Sequence, residues 1–257
     1  MKRKSKGFTL IELMVALVIS ALMVGATYSV FIGQQRTYAT QTGVMDMQQN
    51  ARAAMTMMLR ELRMAGFGVG NSGFNVEGFT QAITVVNNTG QPDQITVVYA
   101  AEQVSTVQSV SGTQVTLADG GDSFDTDKKK YIAFETLRTV YTITTVTGNN
   151  LTLNGSPPSY LADFGAGAFL VKTITYQVDS SRHTLERVQS TQTPPGSDPE
   201  DLWDDAANYI EDLQVDYPYN GDNELLKVTL TSSFQDCEGS TKRRGYEAII
   251  NIRNIGI

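Results

Sequence analysis

The chain has 257 residues, enough for one large domain or two small ones. Apolar residues make up 41% and charged residues 18%, which excludes a disordered chain. Acids outnumber bases 27 to 20, and the resulting charge of -7 disfavours a nucleic-acid partner. A single histidine, His183, and a single cysteine, Cys237, leave no means of building a Cys₄ or Cys₂His₂ zinc site or an internal disulfide.

The N-terminus departs from these averages. Lys2, Arg3, Lys4 and Lys6 precede a run from Phe8 to Ile32 that holds one charge, Glu12. As a helix this run reaches roughly 37 Å, enough to cross a bilayer core of about 30 Å. The bases before it and the lack of any before Arg36 place the N-terminus inside and the remainder outside. A secretory signal peptide is the first alternative, with Ser20-Ala21 or Gly25-Ala26 as cleavage sites, but its apolar region would be shorter. A plain anchor is the second. It gains nothing from a carboxylate in the span, which costs about 2.5–3.5 kcal/mol.

The segment Lys6-Gly7-Phe8-Thr9-Leu10-Ile11-Glu12-Leu13 resembles the processing motif of type IV pilins and type II secretion pseudopilins. The resemblance implies cleavage between Gly7 and Phe8 by a prepilin peptidase, N-methylation of Phe8, and retention of the whole apolar helix in the mature chain. Losing the four leader bases frees that helix to leave the bilayer. The new ammonium at Phe8 and the carboxylate of Glu12 then both lie in low dielectric. Within one helix they are poorly placed to neutralise each other, whereas between neighbouring helices they can pair. Glu12 is therefore expected to act in assembly rather than catalysis. Because a cap at the outermost end of a fibre can lack the acid, its presence places this chain below the very tip.

From Gln34 to Ala65 the composition remains helical. Val44, Met47, Ala51, Met55, Met58, Leu62 and Ala65 recur at spacings of one helix face, which reads as a core-packing stripe. Arg52, Arg60, Glu61 and Arg63 lie mostly off it. Gly66, Gly68 and Gly70 end the helix. Gly25, Thr27 and Ser29 mark a point where it bends or loosens, and Gly33 and Gly43 are further weak points.

The remaining two-thirds alternates Thr, Val, Ile and Tyr between Gly, Asn, Asp and Pro. Strands are predicted at 82–86, 94–100, 106–110, 114–118, 131–135, 140–146, 150–154, 169–178, 184–189, 225–234 and 246–253. Thr106–Leu117 and Thr142–Leu153 form an internal repeat, each unit reading as a β-hairpin about a Gly-containing turn. Ala206, Ile210 and Leu213 suggest a short helix, followed by a strand over Leu213–Tyr217. Thr191–Pro199 reads as an exposed loop. Tyr176-Gln-Val-Asp, Leu185-Glu-Arg, Ile210–Tyr217 and Ile252-Arg-Asn254 are similar in placement to pieces of the PilW family of minor pilins.

Other candidate sites have ordinary alternatives. Asp119, Asp122, Asp125 and Asp127 gather oxygen ligands of the kind calcium prefers. They lack the EF-hand Gly and Glu positions, and Lys128, Lys129 and Lys130 compete for them, so a solvated turn is the alternative. Asp198, Glu200, Asp201, Asp204 and Asp205 form a second acidic cluster. His183 lies in a Ser-Ser-Arg-His turn, and Cys237, in a polar loop, is expected to be free. No Walker loop, HExxH or GxSxG is present.

These readings give an α+β fold: a long N-terminal helix, membrane-spanning in its first half, packed on a C-terminal antiparallel β-rich domain. The expected divisions are a cleaved leader over 1–7, a transmembrane or fibre-core helix over 8–33, an amphipathic extension over 34–66, and a β-rich domain over 67–257 with a small β-subdomain inserted at about 95–170. The resemblance implies a non-enzymatic minor pilin that primes a type IV pilus and sits near its tip. A type II secretion pseudopilin, a DNA-uptake pilin and a membrane-anchored periplasmic enzyme are the alternatives. Implied partners are other major and minor pilins, the prepilin peptidase, the inner-membrane assembly platform and a tip adhesin, with no cofactor beyond the calcium candidate. The implied location is a single pass in a bacterial inner membrane with the β-domain in the periplasm, and then an extracellular fibre.

Overall fold

A computed structural model of the chain describes residues 8–70, 72–126, 130–190, 200–201 and 209–252, without the side chains of 190, 200 and 201. The leader, the loop at 191–199, the helix expected at Ala206 and the last residues of the Ile252-Arg-Asn254 piece lie outside the described residues. The chain divides into two compact units: Met1–Asp46 with Phe234–Lys242, and Met47–Ser233 with Arg243–Ile257. The fold is α+β, a long apolar N-terminal helix followed by antiparallel sheet.

The helix, α1, runs unbroken from Leu10 to Leu62. Gly25, Gly33 and Gly43 do not interrupt it. Thr27 Oγ1 donates to the Met23 carbonyl at 2.8 Å, and Thr37 Oγ1 to the Gly33 carbonyl at 3.0 Å. These side chains satisfy themselves on the helix's own backbone instead of interrupting it. Within the first unit, Gly43 has its own use. A Cβ there would lie 2.2 Å from Cζ of Phe234, so the bare glycine lets the aromatic ring reach the helix backbone.

In the second unit the expected stripe packs as core. Met47, Ala51, Met55, Met58, Leu62 and Ala65 are buried, and Ala54 joins them; Val44, in the first unit, is half-buried. After Leu62 the chain turns through Gly66, Gly68 and Gly70, all at positive φ. Gly68 also has no room for a side chain, since its Cβ would stand 2.6 Å from that of Ala100.

The strands follow in order. β1 (Ser72–Val76) and β2 (Phe79–Gln81) form a small hairpin that the sequence did not reveal. β3 (Ile83–Val86) leads to β4 (Gln94–Ser111), one continuous strand where two were expected. β5 (Gln114–Leu117), β6 (Tyr131–Phe134), β7 (Val140–Thr147) and β8 (Asn150–Leu153) come next. A short helix α2 (Tyr160–Asp163) precedes β9 (Gly167–Asp179), which pairs with β10 (Thr184–Ser190). β11 (Glu200–Asp201) pairs with β10. β12 (Ile210–Asp216), β13 (Leu225–Gln235) and β14 (Thr241–Asn251) make a separate three-stranded sheet. The helical reading of Ile210 and Leu213 is thus corrected. Ile210, Leu213 and Val215 are all buried, and pairing with β13 across a register shift between Ile210 and Asp212 puts their side chains on the core side of a strand.

The long strands β4 and β9 pair from Ile95↔Tyr176 to Thr106↔Gly167, with register shifts at Ala100/Glu102 and Gln103/Ser105. Bulges bend paired strands, and these two long strands take part in two structures. At one end they form a sheet with β10 and β3 that covers α1. The core there joins Met55, Met58 and Leu62 to Ile95, Val97 and Ile174, and to Leu213, Val228 and Leu230 of the other sheet. The opposite face of that sheet is covered by Val69, Phe74 and Val76. At the other end β4 and β9 continue into a closed circuit of six strands, β9–β6–β7–β8–β5–β4 and back to β9. Its interior holds Val107, Val115, Leu117, Phe134, Ile143 and Leu151.

The internal repeat supplies four of the six strands of this barrel. β4–β5 and β7–β8 are its two hairpins, and each has a register shift at the same place, Val107/Ser109 and Ile143/Thr145. The hairpins join through their second strands, symmetrically about Val115↔Leu151. Leu117 N donates to the Asn149 carbonyl at 2.8 Å, and its counterpart Leu153 N to the Thr113 carbonyl at 2.9 Å. The repeat is therefore a pseudo-two-fold pair that no single hairpin could form alone. Gly121 packs against one of its turns, where a Cβ would stand 2.1 Å from the Gly148 carbonyl oxygen.

The main correction to the sequence reading concerns Glu61. It turns inward and accepts two hydrogen bonds from Arg187, from Nε at 3.1 Å and Nη2 at 2.9 Å, and one from the Tyr176 hydroxyl. The two charged side chains are 12% and 13% exposed, so the pair lies almost wholly out of water. Burial, then the Glu61 charge, pushes the Tyr99 phenol up to about 12, and the Tyr176 phenol also rises, with burial the larger cause.

Three outcomes follow for the solubilised chain. Glu61→Ala removes the charged partner of a largely buried guanidinium and lowers the unfolding free energy by about 3–5 kcal/mol in urea melts, whereas Glu61→Leu with Arg187→Met recovers most of it. Gly121→Ala costs about 1–3 kcal/mol through overpacking against the turn backbone. Tyr99 holds its proton more tightly folded than unfolded, so its contribution is complete below pH 10 and is lost as pH rises towards 12. Urea midpoints measured at pH 8, 9 and 11 should be level between the first two and lower at the third.

Candidate functional site

The helix N-terminus holds a short constellation of residues. Thr9 stands just before the first residue of α1 and Glu12 lies in its first turn. The Thr9 backbone N–H donates to Glu12 Oε2 at 3.0 Å, and the Thr9 hydroxyl donates to the same oxygen at 2.9 Å. In return the Glu12 N–H points at Thr9 Oγ1 at 3.4 Å, and the Leu13 N–H donates to the Thr9 carbonyl at 3.3 Å. This is a reciprocal capping box, Thr-Leu-Ile-Glu, in which side chains serve donors that an α-helix leaves without intrahelical partners. The negative carboxylate also lies where the helix dipole is positive.

The arrangement gives Glu12 a local role that reading it as an isolated acid overlooked. Thr9 is the functional residue the sequence reasoning missed. The signal was present, since Thr three residues before Glu at the start of an apolar run is the sequence pattern of such a box.

Beyond the box, Phe8 is 89% exposed, and Leu10, Ile11, Leu13 and Met14 are all exposed. No part of the most apolar stretch of α1 is buried. A helix apolar all round and uncovered by its own chain fits a hydrocarbon environment. Ser20 behaves accordingly, donating its hydroxyl to the Ala16 carbonyl at 2.7 Å so that no polar group is left to the lipid.

The other candidates are not drawn together. Among the described residues, no three of His, Cys, Asp and Glu stand close enough to hold a metal ion. Asp119 Oδ1 instead accepts from the Ser105 hydroxyl at 2.8 Å, and Asp122 lies in a single 3₁₀ turn. Asp125 is described and Asp127 is not. Of the second acidic cluster, Glu200 and Asp201 form the edge strand β11 rather than a loop, while Asp198, Asp204 and Asp205 lie outside the described residues. His183 occupies the β9–β10 turn at φ 54° and accepts the Ile210 N–H on its carbonyl at 2.8 Å, which is a backbone task. Cys237 is a free, exposed thiol. Gly7 lies outside the described residues.

Residues 2–28 match the family model described as the prokaryotic N-terminal methylation motif. Neither the curated proteins nor the solved structures contain a match to the chain. The N-terminus thus carries a type IV pilin-like prepilin signal followed by a long apolar helix, which fits a single-pass membrane anchor. That signal supports a pilin-like or pseudopilin-like protein of structural type, and implies association with other pilins and with a prepilin peptidase in general.

Replacing Thr9 tests the box directly. Thr9→Ala removes a side-chain cap worth about 1 kcal/mol, so amides at 10–13 should exchange with deuterium about fivefold faster in micelles, with exchange at 47–62 unchanged.

Proposed function

We propose that this chain is a minor pilin of a type IV pilus, similar to the PilW family, which primes fibre assembly and is incorporated near the tip. The observation that carries the reading is the capping box at the head of an uncovered apolar helix, directly after the processing motif. A prepilin peptidase cleaves between Gly7 and Phe8, and the new Phe8 amine is methylated. The mature chain then begins one residue before the box.

Glu12 is the assembly residue. In the lone subunit its carboxylate is held by Thr9. Oε2 takes both of those bonds, and Oε1 keeps its capacity to accept. A neighbouring subunit's terminal ammonium supplies a donor of opposite charge, so pairing offsets two desolvation costs at once. The β-domain stays outside the helical bundle, on the periplasmic side before assembly and on the fibre surface afterwards. Residues 1–7, 8–33, 34–66 and 67–257 then act as leader, fibre-core helix, connecting helix and displayed domain. Major and minor pilins, the inner-membrane platform and a tip adhesin are the partners on this reading.

Quantitative mass spectrometry of sheared fibres and of the cell envelope tests it. The peptide beginning at methylated Phe8 should occur in the fibres at a small fraction of the main subunit. Recovery only in the envelope, though processed, would move the assignment to a type II secretion pseudopilin. An unprocessed start at Met1 would leave a plain anchored protein. Glu12→Ala should remove the chain from fibres at least tenfold while leaving cleavage intact; unchanged incorporation would sink the role given to Glu12.

A further inference from the structure

The outer surface of the six-stranded barrel carries no task in the reading above. Charged residues make up 18% of the chain, yet none occurs from Gln103 to Ala118 or from Thr139 to Ala162. These two stretches contain both repeat hairpins, whose inward side chains Val107, Val115, Ile143 and Leu151 fill the barrel. The outward side chains, among them Ser109, Gln114, Thr145 and Asn150, are exposed hydroxyls and amides. Closure of the circuit leaves these strands without a free edge to protect, so charges are not needed there against strand pairing. Even so, a surface facing water normally carries them.

Aromatic side chains adjoin this neutral surface. α2 buries Leu161 in the barrel core and turns Tyr160 and Phe164 outward, one helical turn apart, at 43% and 80% exposed. Tyr141 is half-buried on β7, its phenol pushed up first by burial and then by the Tyr160 phenol beside it. Gly155 packs on its ring, where a Cβ would lie 3.4 Å from Cε1. Asn154 ties this corner to the hairpins by accepting the Thr142 N–H at 2.9 Å.

We propose that the barrel is a binding surface for a neutral polysaccharide. The chemistry selects that partner over others. A nucleic acid or an anionic membrane would need cations, and these stretches have none. A protein interface of ordinary kind needs an apolar centre, while the outward positions here are hydroxyls and amides. A sugar chain is itself built of neutral hydroxyls that donate and accept, so Thr, Ser, Asn and Gln match it without desolvating a charge. The C–H faces of its rings are apolar and slightly positive, and stack on the negative π faces of exposed aromatics such as Tyr160 and Phe164. This inference does not depend on the chain entering a pilus.

The test is co-sedimentation of the detergent-solubilised full chain with particulate cellulose, chitin, amylose and mannan, at 0.05 and 0.5 M salt. Retention on at least one is expected, within twofold at the two salt concentrations. Tyr160→Ala with Phe164→Ala should lower it at least tenfold with an unchanged melting temperature. Should that pair disturb folding, Thr145→Lys, at an exposed position, serves instead and should lower retention at least threefold. Failure to bind any of the four overturns the proposal, as does retention lost at high salt or unaffected by the variants. A photocrosslinker at position 164 that captures other pilin subunits in cells, with no glycan retention, would make the surface a subunit interface instead.

Discussion

A carboxylate at the head of an apolar helix must find hydrogen-bond donors wherever that helix sits. In water the solvent would supply them. In hydrocarbon only the chain itself or a neighbouring chain can do so. The Thr9–Glu12 box meets this need within one subunit, using donors that every helix N-terminus leaves over. The same geometry leaves part of the carboxylate's capacity free, because both bonds from Thr9 fall on one oxygen. Such a residue is satisfied within one chain and can still accept a further donor. Ser20 and Thr27 follow the same constraint, bonding back to their own helix.

The second half of α1 obeys a different solvent. Its methionine and alanine stripe is buried by two sheets, and its one inward acid is neutralised by Arg187 rather than by a helix end. Both halves thus satisfy a glutamate, but by different routes. Glu12 is held by local donors three residues away. Glu61 depends on an arginine and a tyrosine more than a hundred residues distant in the chain. The first can form in an isolated helix, whereas the second exists only once the sheet has formed. The β4–β9 pair is the frame that makes this possible, since it carries Tyr176 at one end and one wall of the barrel at the other.

The legible parts of the sequence were those governed by short-range periodicity. The processing motif, the uninterrupted apolar run, the buried stripe from Met47 to Ala65 and the glycines that close the helix all read directly, because helix spacing and backbone freedom are local properties. The repeat hairpins read equally well, since Gly112 and Gly148 sit in the turns that join strands of clear alternation. What failed shared one physical cause. Ile210 and Leu213 fit a helix by spacing, but a register shift in a strand imitates that spacing. Ser72–Val76 alternates only over Phe74-Asn75-Val76, too short a run to read as a strand, and is held as one by pairing with Phe79–Gln81. Glu61 read only as lying mostly off the core stripe, because its partners are far off in sequence.

The sequence by itself determined where the chain is apolar enough to span a membrane, where its long helix begins and ends, which helix face is core, and that the domain after it is antiparallel sheet. Each of these follows from interactions spanning a few residues. Only the tertiary structure decided that β4 and β9 are shared between a sheet and a closed barrel, that the two repeats pair about Val115↔Leu151, and that Glu61 is buried against Arg187. Those depend on contacts between segments far apart in the chain, whose partners and register no local pattern of side chains specifies.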